Sequence, residues 1–147
     1  ETKVRFAFDA VTLTSKLIDG TFPEYDRVIP TNNNKIMELD CKPFAEAVDR
    51  VSTISTEKSR AVKLNLKNGT LTLTASSPNN GTATEEFEVN YVEDPIEIGF
   101  NSRYLLDIMQ QIDGARAQFV LADAASPTII KNLEDGNALY VLMPMRV

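Results

Sequence analysis

The chain contains no histidine, and this absence removes several kinds of chemistry at once. Among its 147 residues there is no imidazole, so neither a Ser-His-Asp triad nor a Cys-His pair can form. Imidazole metal ligands and the commonest general base are excluded as well. The glycine-rich phosphate-binding signatures and the Gly-x-Ser-x-Gly signature are also missing. We therefore expect no enzyme, no bound metal and no cofactor.

Cysteine and long apolar runs are scarce. Cys41 is the only cysteine, which excludes an internal disulfide and is typical of a reducing, cytoplasmic protein. Beside a predicted helix start, Cys41 is expected to be a small core residue rather than a nucleophile. No run approaches 18 apolar residues, so no membrane span is expected. The chain has no secretory signal and no initiating Met, and we expect it to be part of a longer protein.

The composition is that of a globular protein with one ordinary domain, or one domain and a fragment. Apolar residues make up 43% of the chain and charged residues 24%, with a net charge of −6. The charge is unevenly distributed, because the stretch 68–102 has six acids and no Lys or Arg. The six acids are Glu85, Glu86, Glu88, Glu93, Asp94 and Glu97. The acidic balance disfavours a general nucleic-acid binder, but not one whose acids and bases occupy different faces. A solvated strand face explains the acidic run equally well.

The first thirty residues predict a hairpin followed by a connector. Strands are expected over Lys3–Phe8 and Val11–Lys16, and their exposed edges favour self-association. Pro23 and Pro30 interrupt the following stretch because proline has no N–H to donate. We interpret residues 18–35 as a linker, residues 1–28 as the remnant of a preceding domain with its connector, and residues 29–147 as a complete domain.

The complete domain predicts a β-α-β-β-β unit that occurs twice. In the first unit, Asp40 is the expected helix cap and Asn68-Gly69 is a strong hairpin signal. Its strands are Ile36–Leu39, Ala61–Leu66, Thr70–Ala75 and Thr82–Tyr91, and its helical stripe is Phe44, Ala47, Val48, Val51 and Ile54.

The second unit repeats this order. Asn101 and Ser102 form the expected cap, and Leu105, Ile108, Met109 and Ile112 form the stripe of a helix ending near Gly114. The predicted strands are Ile96–Phe100, Arg116–Ala122, Pro127–Lys131 and Ala138–Met143. Each unit alone would leave an apolar sheet face and an apolar helix stripe exposed to solvent. We therefore expect an α+β fold in which two helices pack on two antiparallel sheets.

The candidate binding residues fall into three groups. The C-terminal residues Met143, Pro144, Met145 and Arg146 offer an adaptable surface that is apolar except for Arg146. The alternative is a core strand with a frayed end. Pro23, Arg27 and Val28 of the connector form the second group, since a connector packed on a domain makes a seam for ligands. Lys58, Arg60, Arg103 and Arg116 at element ends could meet phosphates, or be ordinary solvated charges.

Three segments resemble one known family. Residues 19–30, DGTFPEYDRVIP, are similar to the "DGRFPDYRRVLP" segment of the bacterial DNA polymerase III beta sliding clamp. Glu97–Asn101 with Tyr104–Asp107 resembles the helix entry of its last domain, and Tyr140–Val147 resembles its "YVVMPMRL" terminus. The duplicated order also matches the repeated DNA-clamp domain.

The resemblance implies a replication processivity factor. In that family, two three-domain subunits form a homodimeric ring around double-stranded DNA without reading its sequence, and helices line the hole. A groove between the middle and last domains takes short motifs of polymerase, clamp loader and repair proteins. Its implied wall here is Pro23, Arg27, Val28, Asn101, Tyr104, Pro127, Val141, Met143, Pro144, Met145 and Arg146. Pro127 stands at a position where the family also has a small polar residue.

The resemblance also implies that Thr53 and Ile54 belong to the ring interface, whose partner is the first domain. With that domain absent, we expect these 147 residues alone neither to close a ring nor to confer processivity, and to bind peptide more weakly.

Two other functions stay open at this point. A carboxylate-dependent hydrolase would use Glu85, Glu88 or Asp123 in a cleft with shifted pKa values. An acidic adaptor would bind protein partners without touching DNA. The adaptor is distinguished from the clamp by the position of the bases, that is, by whether Arg103 and Arg116 lie on the same face as Lys58 and Arg60.

Overall fold

The predicted order of elements is present in the computed structural model, which describes residues 2–55 and 60–146. A hairpin of β1 (Lys3–Phe8) and β2 (Val11–Lys16) precedes a short 3-10 helix, Tyr25–Arg27. The first unit contains β3 (Lys35–Asp40), α1 (Cys41–Ser52), β4 (Ala61–Lys67), β5 (Thr70–Ser77) and β6 (Gly81–Glu88). The second contains β7 (Ile96–Asn101), α2 (Ser102–Gln111), β8 (Arg116–Leu121), β9 (Thr128–Asn132) and β10 (Leu139–Leu142). The α+β class is confirmed.

The two units exchange their first strands. One sheet has the order β10-β9-β8-β3 and the other has the order β6-β5-β4-β7. Strand β3 therefore leaves its own unit to pair with β8, from Lys35 opposite Leu121 to Asp40 opposite Arg116. Strand β7 pairs with β4 in the same way. All of these pairings are antiparallel, and each sheet contains residues from both halves of the chain.

Single backbone bridges join the two sheets along both seams. Glu38 of β3 exchanges two hydrogen bonds with Asn90, at 3.0 and 3.1 Å. On the opposite side, the N–H of Met145 donates to the carbonyl of Gly99 in β7, at 2.8 Å. Glu38 and Gly99 hold the same place in β3 and β7. The fold therefore has an approximate internal twofold repeat, and the second seam ties down the last residues of the chain.

The core lies between the two sheets and the two helices. Alternation buries Val62, Leu64 and Leu66 of β4, because period-two alternation turns one face of a strand inward. On α1, Phe44 is fully buried and its ring packs edge-on against Phe119, with centroids 5.5 Å apart. These contacts cross from the first unit to the second, so neither unit has a complete core by itself.

Some predicted boundaries differ. Strand β6 ends at Glu88 rather than Tyr91, because the chain there turns to form the Asn90 bridge. Helix α1 ends at Ser52, so Ile54 packs against the core from beyond the helix. Strand β9 begins at Thr128, one residue after the proline that has no donor.

The two helix caps behave differently. The side chain of Asn101 accepts a hydrogen bond from the N–H of Arg103 at 2.9 Å, as expected of a cap. Asp40 occupies the cap position of α1, but its side chain makes no capping hydrogen bond. Its carboxylate lies 3.7 Å from the guanidinium of Arg116 instead. The prediction that Asp40 caps α1 through its side chain was therefore wrong.

Across the described residues, both α-helices fall short of the length and apolar character that a membrane span demands.

The β4–β5 turn supplies a test of the fold. Asn68 and Gly69 have φ values of 51° and 75°, the left-handed conformation of a two-residue hairpin turn. Substituting Gly69→Ala should lower the free energy of unfolding by about 1–2 kcal/mol, because a Cβ strains this conformation. Urea denaturation measures the change. The control Gly136→Ala adds a Cβ with no atom within 4 Å and should be nearly neutral. Equal effects of the two substitutions would contradict the turn assignment.

Candidate functional site

The C-terminal residues combine a fixed backbone with accessible side chains. After β10, the chain crosses from one sheet to the other, where the Met145 N–H bonds to Gly99. Met143 is 57% exposed, Pro144 and Met145 are half-buried, and Arg146 is exposed. We call residues Met143 to Arg146 the tail. The tail is therefore held by its backbone and is not a sequestered core strand.

A groove lies between β10 and α2. It has a volume of about 550 Å³. It is lined by Tyr104, Asp107, Ile108, Leu139, Tyr140, Val141, Leu142 and Met143. Helical spacing places Tyr104, Asp107 and Ile108 on one side of α2, while Leu105 and Met109 face the core. The Tyr140 hydroxyl lies 3.4 Å from the carbonyl of Gln111, which holds β10 beside the end of α2. We call this the tail groove.

A second concavity lies on the other side of the tail. It has a volume of about 600 Å³. Its lining is Glu97, Ile98, Gly99, Ala124, Ala125, Pro144, Met145 and Arg146. The Glu97 carboxylate is 3.1 Å from the Lys63 ammonium, whose hydrogen bond and charge lower the pKa of Glu97. Arg146 has no ion-pair partner within residues 2–55 and 60–146. We call this the flank pocket.

One loop wall of the flank pocket is organised by Asp123. Its carboxylate accepts hydrogen bonds from the N–H groups of Ala125 and Ser126 and from the Ser126 hydroxyl, each at 2.8 Å. The Ala125 bond is the largest cause of the lowered pKa of Asp123. The ionised carboxylate therefore holds residues 123–126 in one turn, and with them Ala124 and Ala125 of the wall.

Six of the eleven predicted groove residues line these two concavities. Tyr104, Val141 and Met143 line the tail groove, and Pro144, Met145 and Arg146 line the flank pocket. Asn101 serves as the α2 cap. Pro127 is half-buried, and its carbonyl accepts a hydrogen bond from Asn33 at 2.9 Å.

The connector residues are not brought to either concavity. Pro23, Arg27 and Val28 are exposed and line neither the tail groove nor the flank pocket. Arg27 forms a local ion pair with Glu24 at 2.5 Å, with both side chains largely exposed. The expected seam between connector and tail is therefore not assembled in the described structure.

Sequence reasoning missed several lining residues. Asp107 follows Tyr104 by three positions, so helical spacing could have found it, and Leu139 alternates with Val141 along β10. Ile108 was predicted as a core residue, yet it is half-buried and lines the tail groove as well. Glu97, Ile98 and Gly99 belonged to a segment that resembles the family but not to the predicted groove wall, because only the crossing of the tail makes them part of a wall.

Within the described part of the chain, the predicted basic residues Arg60, Arg103 and Arg116 do not form one cluster. Lys58 lies outside the described residues. The Arg60 carbonyl accepts a hydrogen bond from Ser102 at 2.8 Å, which places Arg60 with Arg103 at the start of α2. Arg116 lies at the start of β8, and its guanidinium is 3.4 Å from Glu38. Arg116 follows the end of α2, where a cleft of about 540 Å³ joins this end to the start of α1. Arg103 lies in the first turn of α2, so the two arginines are at opposite ends of that helix.

Cys41 lines that cleft but is buried, and burial raises the pKa of its thiol. The thiol is therefore kept protonated, which supports a packing role rather than a nucleophilic one.

The carboxylates of the hydrolase hypothesis do not converge. Glu85 and Glu88 lie on β6, while Asp123 lies in the β8–β9 loop of the other sheet. Arg50 donates to Glu85 and lowers the pKa of that carboxyl. A lowered pKa keeps a carboxyl ionised and unsuited to donate a proton at neutral pH. Among the described residues, no group of three His, Cys, Asp or Glu side chains could hold a metal ion.

The predicted interface residues follow the end of α1. Thr53 is exposed, and its hydroxyl donates to the carbonyl of Asp49 at 3.1 Å. Ile54 is half-buried, and its carbonyl accepts a hydrogen bond from Asn80 at 3.3 Å.

Taken together, these features define a two-sheet, two-helix domain whose accessible apolar surface is suited to protein or peptide recognition. The family model of the DNA polymerase III beta subunit, C-terminal domain, matches residues 26–146. The chain therefore belongs to the family of bacterial beta sliding clamps.

Individual relatives agree with this assignment. The beta sliding clamp of Caulobacter vibrioides is 57% identical over 145 residues, which are 99% of this chain and 39% of the relative. The Pseudomonas aeruginosa clamp is 38% identical over 144 residues, 98% of this chain and 39% of the relative. The chain thus spans about two fifths of the length of the curated relatives it matches.

Solved structures show the same fold. The DnaN sliding clamp of Bartonella birtlesii bound to griselimycin superposes with a TM-score of 0.94 at 48% identity. That match covers 100% of this chain and 40% of the Bartonella chain. The Pseudomonas aeruginosa subunit superposes with a TM-score of 0.93 at 37% identity.

The Asp123 turn generates a pH prediction. A lowered folded-state pKa stabilises the fold above the unfolded value of about 3.9 and loses this contribution as pH falls through the folded value. Asp123→Ala should therefore destabilise the chain at pH 7, and the difference from wild type should shrink towards pH 3. Urea denaturation across this range measures it. The control is Asp113→Ala, an exposed aspartate, which should change stability little. A difference for Asp123→Ala that stays constant with pH would contradict the proposed ionised turn.

Proposed function

We propose that the chain acts as part of a replication processivity clamp, a non-catalytic subunit that docks partner proteins and encircles duplex DNA. The observation that carries this proposal is the tail, whose apolar side chains stay accessible while its backbone is bonded to Gly99. Family membership supports it, and the Bartonella relative bound to griselimycin is a clamp of this fold that takes a ligand.

The tail suits partners of varied sequence. Unbranched Met143 and Met145 adapt to different apolar side chains, and Pro144 adds apolar surface without requiring a hydrogen bond. Because the Met145 backbone is already fixed, less conformational entropy is lost when a peptide binds. The preferred ligand is therefore a short apolar motif of a polymerase, clamp loader or repair protein. Pro23, Arg27 and Val28 would complete the groove when the rest of the middle domain is present.

Contact with DNA would be weak and independent of sequence. The proposed DNA-facing side is the layer formed by α1 and α2, which we call the helix layer. Arg103 lies at the start of α2, and the Arg60 carbonyl accepts a hydrogen bond from Ser102 beside it. Lys58 and Arg116 belong to the same proposed set. Ion pairing of Arg116 with Glu38 and Asp40 reduces its available charge. A ring that encircles DNA needs only a few phosphate contacts, because the closed ring itself prevents the DNA from dissociating. Tight contacts would hinder sliding.

Ring closure would use the side of the domain that contains β6. This strand is an edge of its sheet and carries Glu85, Glu86 and Glu88. An open edge with acidic side chains favours pairing with a basic edge strand of another domain. Thr53 and Ile54 are proposed to lie in the same interface.

The domain boundary is proposed near residue 28, which the family match beginning at residue 26 supports. A cytoplasmic location is proposed for the whole protein, as for a bacterial replication subunit.

Substitution of the tail methionines tests peptide docking. The variants Met143→Ala and Met145→Ala should each weaken griselimycin binding about tenfold, since each removes most of a thioether side chain from the surface. Isothermal titration calorimetry with this chain measures the affinity. The control is Val92→Ala, because Val92 is 88% exposed and lies outside both concavities. Equal affinity of all three variants, or no binding by wild type, would argue against the docking assignment.

Substitution at the helix layer tests contact with DNA. Arg103→Ala should weaken binding of a fluorescein-labelled duplex at low salt and reduce the slope of log K against log salt by about one. Fluorescence anisotropy provides both quantities. Lys67→Ala, at the exposed β4–β5 turn, is the matched control and should change neither. Equal losses for both variants would remove the helix-layer assignment, and no DNA binding by wild type would favour the adaptor alternative.

A further inference from the structure

Asn33 lies in the linker of residues 18–35 and bonds to one end of the sheet that contains β10. Its side-chain amide donates two hydrogen bonds, to the carbonyl of Val120 at 2.8 Å and to the carbonyl of Pro127 at 2.9 Å. The two acceptors lie on β8 and immediately before β9. Both amide hydrogens are therefore used, and the side chain is held between two strands.

This link occurs where the backbone ladder cannot continue. The β8–β9 pairing ends at Val120 opposite Ile129. Pro127 has no N–H, so it cannot donate to β8 at this end of the sheet. The Asn33 amide supplies donors in its place and holds β8 and the start of β9 together. The neighbouring Asn34 N–H adds a bond to the Leu121 carbonyl at 3.0 Å.

The same end of the sheet carries Met143. The last registered pair of β9 and β10 is Thr128 opposite Leu142. Pro127 precedes Thr128 and Met143 follows Leu142, so the next position across the two strands brings Pro127 beside Met143. A bond that fixes Pro127 therefore restrains the backbone next to Met143, an exposed side chain of the tail groove.

We propose that Asn33 is a positioning residue that orients Met143 for ligand binding by fixing Pro127. This inference rests on the proposed docking function of the tail groove. Pro23 and Arg27 of the same linker line neither concavity. The linker therefore acts on the binding surface through the half-buried amide of Asn33 rather than through the wall residues expected from the sequence.

Methionine methyl NMR tests the positioning directly. The chain has four methionines, so the Met143 methyl can be assigned by substitution. In Asn33→Ala and Asn33→Asp, which lack the amide donors, the Met143 methyl resonance should move while that of Met109 in α2 stays unchanged. The control Asn34→Ala removes an exposed side chain that has no hydrogen bond among the described residues, and should move neither. Asn33→Ser, which retains one donor, should give an intermediate shift.

Griselimycin affinity provides the functional readout. Asn33→Ala should weaken binding roughly three- to tenfold, the loss expected when one or two hydrogen bonds no longer hold a binding side chain. Asn34→Ala should bind as wild type does. An unchanged Met143 resonance in both Asn33→Ala and Asn33→Asp would overturn the proposal. A general shift of all four methionines, or failure of every Asn33 variant to fold, would show a structural role only and would overturn it as well.

The two proposals fail in different ways. If wild type does not bind griselimycin, the docking function of the tail groove is contradicted, while the methyl resonances still decide whether Asn33 positions Met143.

Discussion

The structure depends on the exchange of one strand between two similar halves. Because β3 pairs with β8 and β7 pairs with β4, neither half can complete a sheet or a core without the other. The backbone bonds of Glu38 with Asn90 and of Met145 with Gly99 close the two seams that the exchange creates. The bond between Met145 and Gly99 also creates the candidate binding surface. It carries the last residues from one sheet to the other while their side chains stay accessible.

The proposed docking function depends on a fixed backbone that carries accessible side chains. A chain terminus normally frays, because few bonds hold it. Here a bond from Met145 to the neighbouring sheet restrains the backbone, so Met143, Pro144 and Arg146 form part of a surface with a defined shape. The tail then separates two concavities, one beside α2 and one beside the Asp123 turn. A ligand that meets this surface encounters adaptable side chains on a pre-organised frame.

The sequence predicted the elements well because their signals are local. Helical stripes, the Asn68-Gly69 turn and the Asn101 cap each depend on a few neighbouring residues, and each is present in the structure. Asp40 shows where a local rule fails. It has the right residue type and position for a cap, but β3–β8 pairing brings Arg116 near enough for its carboxylate to form an ion pair. The competing charge came from a residue distant in sequence, and no local pattern contains it.

By itself, the sequence determined the α+β class, the order of the two repeats and the apolar character of the C-terminal residues, because each is set by composition and periodicity along the chain. The tertiary structure alone decided which strands share a sheet, that the tail crosses to Gly99, and that Asn33 reaches Val120 and Pro127. These are pairings between groups far apart in the chain. The strand pairings and the tail crossing are made by backbone carbonyls and N–H groups, which all residues except proline carry, and the side-chain amide of Asn33 bonds to two such carbonyls. Their partners are therefore chosen by the geometry of the folded sheets, which the order of side chains does not display.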